Sequence, residues 1–397
     1  MRILHITPYY FPAFKYGGPA ISIHIMNKAL IKKGIKIDVM TTNANLGNRN
    51  DLITNEWIEL EGIRIKYFPY YFKDNYTFSP QMFLAILKEI KNYDVVHITM
   101  LWHFQALAGS IGSLLYKKPY IICPAGALSE ESINLKSRHI KTLYLNLIAK
   151  NYLTKASILL YNSEDEKKDA NNLFKFQNKS VVIPCGVNLG EYKQLPAKGA
   201  FKNKYPILRD KKYILFLSRI HRKKGLDILI DAFRMLVKED NDLFLVIAGP
   251  DNDNYKREVQ NKLKENSLLE KTLFPGVLSG IDKLSAYADA SVYVLSSYSE
   301  NFALTVIEAL ACGTPVVISN KVGIWEIIEK NNAGVVVDLN PKNIYKGITK
   351  LLDNPNLGEQ IVRNGRKLIE EKYDIDIVAN MMIDTYRKLL IALPQVN

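Results

Sequence analysis

Glu300 and Glu308 stand eight residues apart in "SENFALTVIEALACGTP", a largely apolar stretch that gives neither carboxylate a basic neighbour in sequence. Two carboxylates at fixed spacing can act as acid and base, as a nucleophile for double displacement, or as acceptors for ligand hydroxyls. The segment follows the strand-like "ASVYVLSSYSE"; Ala309, Leu310 and Ala311 favour a helix, Gly313 stops it, and Pro315 opens the next strand. Glu300 is thus expected on a loop at a strand's C-terminal end, and Glu308 about two turns into a helix. At a rise of ~1.5 Å per residue the carboxylates would lie on the order of 10 Å apart, the span of a nucleotide sugar from ribose to hexose. Between them the amides of Phe302, Ala303 and Leu304 fall at the helix start, where unpaired N–H groups attract an anion. The competing reading makes Glu300 an ordinary loop carboxylate and Glu308 a surface residue.

Arg219 and Lys224 lie on a second strand-to-helix loop, in "LSRIHRKKGLDILIDAF". A rigid guanidinium and a mobile ammonium there suit a diphosphate and the charge it develops on leaving. His221, Arg222 and Lys223 are read as solvated neighbours, and a merely basic loop is the alternative. Near the start, "ITPYYFPAFKYGGPAIS" places Gly17 and Gly18 ahead of a helix that could open at Pro19. Paired glycines permit close backbone approach to a ligand, though they come too late after the strand for a dinucleotide fingerprint. In "LFPGVLSGIDKLSAYADA", Val277 and Leu278 follow a short strand and could receive a nucleobase edge.

These loops need rigid strands behind them, and the sequence supplies such strands. Continuous apolar runs recur: "MRILHIT", "IKIDVMTT", "YDVVHIT", "PYIICP" and "SILLYNS", then "YILFLS", "LFLVIAG", "ASVYVLSS", "TPVVIS" and "AGVVVD". Each is followed by helical spacing, the pattern of parallel sheets covered on both faces. The alternation restarts after a polar stretch at about residues 188–210. We therefore expect an α/β chain of two Rossmann-like doubly wound domains, residues 1–190 and 205–375, facing across a cleft, with 376–397 a helix returning to the first domain.

Composition narrows the partners. The 397 residues are 48% apolar, with no run long enough to span a bilayer and an opening that lacks a signal-peptide core, so a cytoplasmic location is expected. Cys123, Cys185 and Cys312 are too scattered for a metal or disulfide framework and read as core thiols. A net charge of +13 implies an anionic partner: nucleic acid, a phosphorylated small molecule or a membrane surface. No aromatic-basic nucleic-acid motif accompanies it.

Together these segments resemble the retaining family-four glycosyltransferases of GT-B fold. The resemblance covers nearly the whole chain: the Gly17-Gly18 loop, "YDVVHIT", "VVIPCGVN", the R-x-x-x-x-K-G of Arg219 to Gly225, and E-x7-E at Glu300 and Glu308. It implies that Arg219 and Lys224 grip the donor diphosphate, that Glu308 hydrogen-bonds the ribose and that Glu300 faces the donor sugar. Phe302, Ala303 and Leu304 would lie over sugar and phosphates, Gly17 and Gly18 at the diphosphate, and Val277 and Leu278 at the base. No metal cofactor is implied, since cationic side chains and helix N-termini take that role. Two departures stand out. Many relatives have Gly where Ala303 stands, and many carry a His where this chain reads "CPAGALS" near Gly126, leaving His97 or His103 as speculative substitutes or plain packing residues.

The implied reaction moves a hexose from a GDP- or UDP-sugar to a hydroxyl of a saccharide or polyprenyl-linked acceptor, in building a cell-surface polysaccharide. The acceptor would meet Tyr9, Tyr10, Lys15, Trp102 and the segment after Cys123. There Ile140, Leu143, Tyr144, Leu147 and Ile148 repeat at helical spacing beside Lys136, Arg138, Lys141 and Lys150. That stripe reads first as core-facing, second as an interfacial helix on anionic lipid. A sucrose- or trehalose-type synthase, a nucleotide-sugar epimerase and a non-catalytic nucleotide-binding module are the remaining alternatives.

Overall fold

The computed structural model describes residues 1–13, 18–44, 46, 54–72, 76–134, 138–251 and 253–391. The chain divides into two compact units, Met1–Gly186 with Ile375–Asn397, and Val187–Asp374.

The first unit is built on eight strands: β1 (Arg2–Ile6), β2 (Lys36–Thr42), β3 (Trp57–Leu60), β4 (Ile63–Phe68), β5 (Val95–Thr99), β6 (Tyr120–Cys123), β7 (Ile158–Tyr161) and β8 (Ser180–Val182). Their order is β3-β4-β2-β1-β5-β6-β7-β8, parallel throughout except for β3 against β4. Apolar residues of β1, β5 and β6 alternate between two buried clusters: Leu4, Ile6 and Val96 face one, Ile3, Val95 and Ile121 the other. Both faces are therefore covered, which is why these strands read as unbroken apolar runs. The helix Ile375–Ile391 closes one face with Val378, Met382 and Tyr386, and Tyr386 donates to His97 Nδ1 at 2.7 Å.

The second unit holds β9 (Tyr213–Leu217), β10 (Phe244–Ala248), β11 (Thr272–Gly276), β12 (Val292–Leu295), β13 (Val316–Ser319) and β14 (Val335–Val337). Their order, β11-β10-β9-β12-β13-β14, is all parallel and reverses between β9 and β12. Loops leaving the C-terminal ends of two adjacent strands on either side of such a reversal diverge and leave room for a ligand. Here they are the loops that carry Arg219, Lys224 and Glu300.

Two expectations are corrected, and one element is new. The segment Arg138–Tyr144 continues through a π-helical turn, Leu145–Ala149, into Lys150–Thr154, and buries Leu145, Ala149, Tyr152 and Leu153. Ile140, Leu143 and Leu147 instead stand 71%, 60% and 70% exposed, so the stripe does not face the core. Tyr10, expected near an acceptor, is fully buried with its hydroxyl engaged by Asn27 and His24. The hairpin β3–β4 was not foreseen, because "IRIKYF" alternates charge with apolar residues and its two-residue turn, Glu61-Gly62, lies in left-handed backbone.

Candidate active site

The site of the second unit is built from the loops after β9 and β12. After β9 the chain passes Ser218 and the exposed Arg219, makes a short turn at Arg222–Lys224, and enters the helix Leu226–Val237 through Gly225. Gly225 has φ +65°, and a Cβ there would meet the Ser296 carbonyl oxygen at 1.8 Å. Only glycine fits, and the close approach presses the β9 loop onto the β12 loop. Two hydrogen bonds tie the loops further: Ser296 Oγ donates to the Gly225 carbonyl at 2.8 Å, and the Tyr298 N–H to the Lys223 carbonyl at 2.8 Å.

That contact buries Lys224, which is only 8% exposed, and brings its Nζ onto Glu300 Oε2. Burial first, then the neighbouring Arg219 and Lys223 cations, push the Lys224 ammonium down from its ordinary range to about 7. Glu300 is anchored through its backbone: its N–H donates to the Lys321 carbonyl at 3.1 Å and its carbonyl accepts from Gly323 at 2.7 Å. His221 and Arg222 are not merely solvated. His221 accepts the Lys223 N–H and pairs with Asp253, and Arg222 lies over Tyr255 and pairs with Glu258.

The helix after Glu300 runs Leu304–Ala311, so Glu308 sits one turn in rather than two. Ala303 caps its start in left-handed backbone, φ 70° and ψ 64°. A glycine takes that conformation freely, whereas alanine is strained by about 1 kcal/mol. Phe302 is buried edge-on against Tyr373, which fixes the chain entering the helix. The first amides, near Ala303 and Leu304, have no partner inside the helix and carry its positive dipole end.

Glu308 is 8% exposed, not a surface residue. Lys283 Nζ donates to Oε1 at 2.7 Å and the Tyr287 hydroxyl to Oε2 at 3.1 Å. Burial lowers the Lys283 pKa, but the charge and hydrogen bond of Glu308 outweigh it and leave the ammonium above its ordinary value. Lys283 and Tyr287 share the helix Gly280–Ala288, which begins two residues after Leu278. Val277 is 64% exposed and Leu278 half-buried, at the end of β11. Neither glutamate is therefore without a cation. Their partners lie 76 and 25 residues away in sequence, beyond the reach of local spacing.

In the first unit Gly18 opens the helix Gly18–Lys32 and is exposed, while Gly17 lies outside the described residues, as do Lys15 and Lys136. His97 is buried, stacked on His5 with ring centroids 4.5 Å apart, and neutral, since burial drives its pKa well down. His103 precedes the helix Phe104–Leu115 with its ring against the Thr77 hydroxyl, and burial lowers its pKa to about 4. Gly126 donates its N–H to Glu166 Oε1 at 2.5 Å, and Asn162 donates to Oε2 at 2.7 Å. A carboxylate thus braces this loop. All three cysteines are free thiols, Cys123 and Cys312 buried and Cys185 half-buried. Among the described residues no group of three or more His, Cys, Asp or Glu gathers as metal ligands.

Residues 198–368 match the family profile of the glycosyl transferases group 1, and residues 16–191 that of glycosyltransferase family 4. The chain is a group 1 glycosyltransferase of family 4. An uncharacterised glycosyltransferase of Methanocaldococcus jannaschii is 26% identical over 395 residues, 98% of each chain. The capsular polysaccharide biosynthesis glycosyltransferase CapM of Staphylococcus aureus is 27% identical over 293 residues, 72% of this chain and 74% of its own. A crystal structure of Anabaena HepE in complex with UDP and glucose shares the fold, with TM-score 0.78 at 19% identity over 98% of this chain and 100% of that one. The two parallel-sheet units are those of a GT-B glycosyltransferase. Group transfer is this enzyme's work, so a non-catalytic binding module is set aside.

Proposed function

We propose that this glycosyltransferase moves a hexose from a GDP- or UDP-sugar to a hydroxyl of a saccharide or lipid-linked saccharide, with retention at the anomeric carbon. The observation that carries the reading is the convergence of Arg219, the buried Lys224–Glu300 pair and the helix start at Ala303–Leu304 on one strand-order reversal. Two cations beside a helix N-terminus suit a diphosphate, and a carboxylate in contact with one of them suits the sugar attached to it. The UDP and glucose bound to HepE support such a donor, and the capsular enzyme supports a polysaccharide product.

In this reading the bond from the anomeric carbon to the diphosphate oxygen breaks with its electron pair going to that oxygen. The acceptor hydroxyl adds to the same face of the carbon, and its proton passes to the departing phosphate. Arg219 and Lys224 stabilise the negative charge that develops, a preorganised electrostatic role. Glu300 orients the sugar and favours its cationic transition state; Glu308 receives the ribose hydroxyls; Phe302, Ala303 and Leu304 present backbone to sugar and phosphate; Val277 and Leu278 meet the base. Gly17 and Gly18 are assigned to contact with the diphosphate. The reaction runs without a divalent cation in this scheme, the diphosphate charge falling to side chains and the helix end, so activity should survive EDTA.

On the acceptor side, the exposed Ile140, Leu143 and Leu147, flanked by the exposed Arg138 and Lys150, fit peripheral contact with anionic lipid. No helix among the described residues is long and apolar enough to cross a membrane. The test is a thermal-shift panel of GDP- and UDP-sugars, followed by NMR of the glycoside formed from the stabilising donor. An axial-to-axial or equatorial-to-equatorial outcome is expected; inversion, or stabilisation by none of the donors, contradicts the proposal.

A further inference from the structure

Both oxygens of Glu308 are engaged in a nearly closed environment. Lys283 holds Oε1, Tyr287 holds Oε2, and Tyr192 lies against the same carboxylate, its hydroxyl pushed above its ordinary range by burial first and then by the Glu308 charge. Lys283 and Tyr287 are one helical turn apart and so present their polar ends to one side. Tyr287 is itself fixed, since its carbonyl accepts from Thr314 Oγ1 at 2.6 Å. The Lys283 side chain is 25% exposed and Glu308 11%, whereas Tyr287 is fully buried, so Lys283 is the more open of these two partners of the carboxylate. The two carboxylate oxygens offer about four acceptor positions, and Lys283, Tyr287 and Tyr192 fill three of them, which leaves room for one further donor.

We propose that Lys283 is a donor-positioning residue: it fixes the Glu308 carboxylate so that its remaining lone pair meets a ribose hydroxyl, and links that grip to the base segment two residues before its helix. The inference rests on the reading of Glu308 as the ribose acceptor. An unrestrained glutamate would have several rotamers to lose on binding, and the ion pair removes that cost beforehand. The helix Gly280–Ala288 makes the coupling mechanical, because base contact at Val277–Leu278 and ribose contact at Glu308 share one rigid element.

The experiment is calorimetric binding of UDP and GDP, and of their 2′,3′-dideoxy counterparts, to the whole protein and to Glu308→Gln, Lys283→Met and Lys283→Arg. For whichever nucleotide binds, Lys283→Met should weaken the ribose form about tenfold and the dideoxy form less than about twofold, the loss of one charge-assisted contact. Lys283→Arg should restore most of the loss, and Glu308→Gln with Lys283→Met should cost no more than Glu308→Gln alone. Equal weakening of both forms by Lys283→Met overturns the positioning role, even if Glu308→Gln remains ribose-selective. Equal weakening by Glu308→Gln, or no binding of either nucleotide, overturns the ribose reading beneath it.

Discussion

Each unit has a strand-order reversal, and the polar groups at the two reversals are spent differently. In the first unit, between β1 and β5, His5 meets Asn27 at 3.1 Å and Thr99 at 2.8 Å, Asn27 donates to Tyr10, and His97 takes the Tyr386 hydroxyl. These groups are buried and partnered by one another, and desolvation holds His5 neutral, with its pKa lowered to about 4. In the second unit, between β9 and β12, the groups are ions: an exposed Arg219 and a Lys224–Glu300 pair whose cation is kept only at the cost of desolvation. A buried neutral network stabilises a fold, whereas a buried ammonium pushed down toward neutrality beside an exposed guanidinium is suited to a charged ligand. The donor reading of the second unit comes from that contrast.

The largest effect should come from removing the cations. Arg219→Ala and Lys224→Met are each expected to lower kcat/KM by about 10²–10³-fold, the scale of losing a preorganised charge contact in a transition state. Their thermal melting should stay within a few degrees of the parent. His5→Ala should do the converse in the first unit: a loss of about 2–3 kcal/mol in urea-unfolding stability, from unpaired Asn27 and Thr99 and a cavity, with kcat of the folded enzyme unchanged. If His5→Ala abolished transfer while leaving stability intact, the division of labour between the two reversals would fail.

A subtler effect is on pH. A diphosphate binds the charged form of Lys224, whose pKa in the free protein is about 7. Above that pH the charged fraction falls, so donor affinity should weaken by up to about tenfold per unit, and binding near pH 8 should take up a proton. Lys224→Arg keeps its charge at all these values and should flatten the profile. The smallest effect is expected for Ile140→Ser with Leu147→Ser, which should reduce flotation with anionic liposomes by several-fold while transfer to a water-soluble acceptor is unaltered. Flotation that ignores either lipid charge or these substitutions would remove the membrane contact.

Much of this arrangement was readable in the chain itself. Ten apolar runs became strands because parallel strands covered on both faces need no polar alternation. Arg219, Lys224 and Glu300 were legible because chemistry-bearing residues after strand ends stand out against apolar runs. What escaped were pairings set by the fold alone. Lys224 meets Glu300 across 76 residues, and Lys283 meets Glu308 across 25. Gly323, where a Cβ would strike the Asn301 carbonyl oxygen at 2.1 Å, anchors Glu300 with its N–H, and nothing in the neighbouring residues marks it. The apolar stripe at Ile140 misled for a physical reason: helical spacing says that one face is apolar, not what covers it.

The central claim is that the second unit's β9 and β12 loops hold the donor diphosphate. Titration calorimetry of UDP and GDP against the parent protein, Arg219→Ala and Lys224→Met tests it most directly. One of the two nucleotides should bind the parent and be weakened at least about tenfold by each substitution, the scale of one charge-assisted contact. Undiminished affinity in both variants would contradict the account.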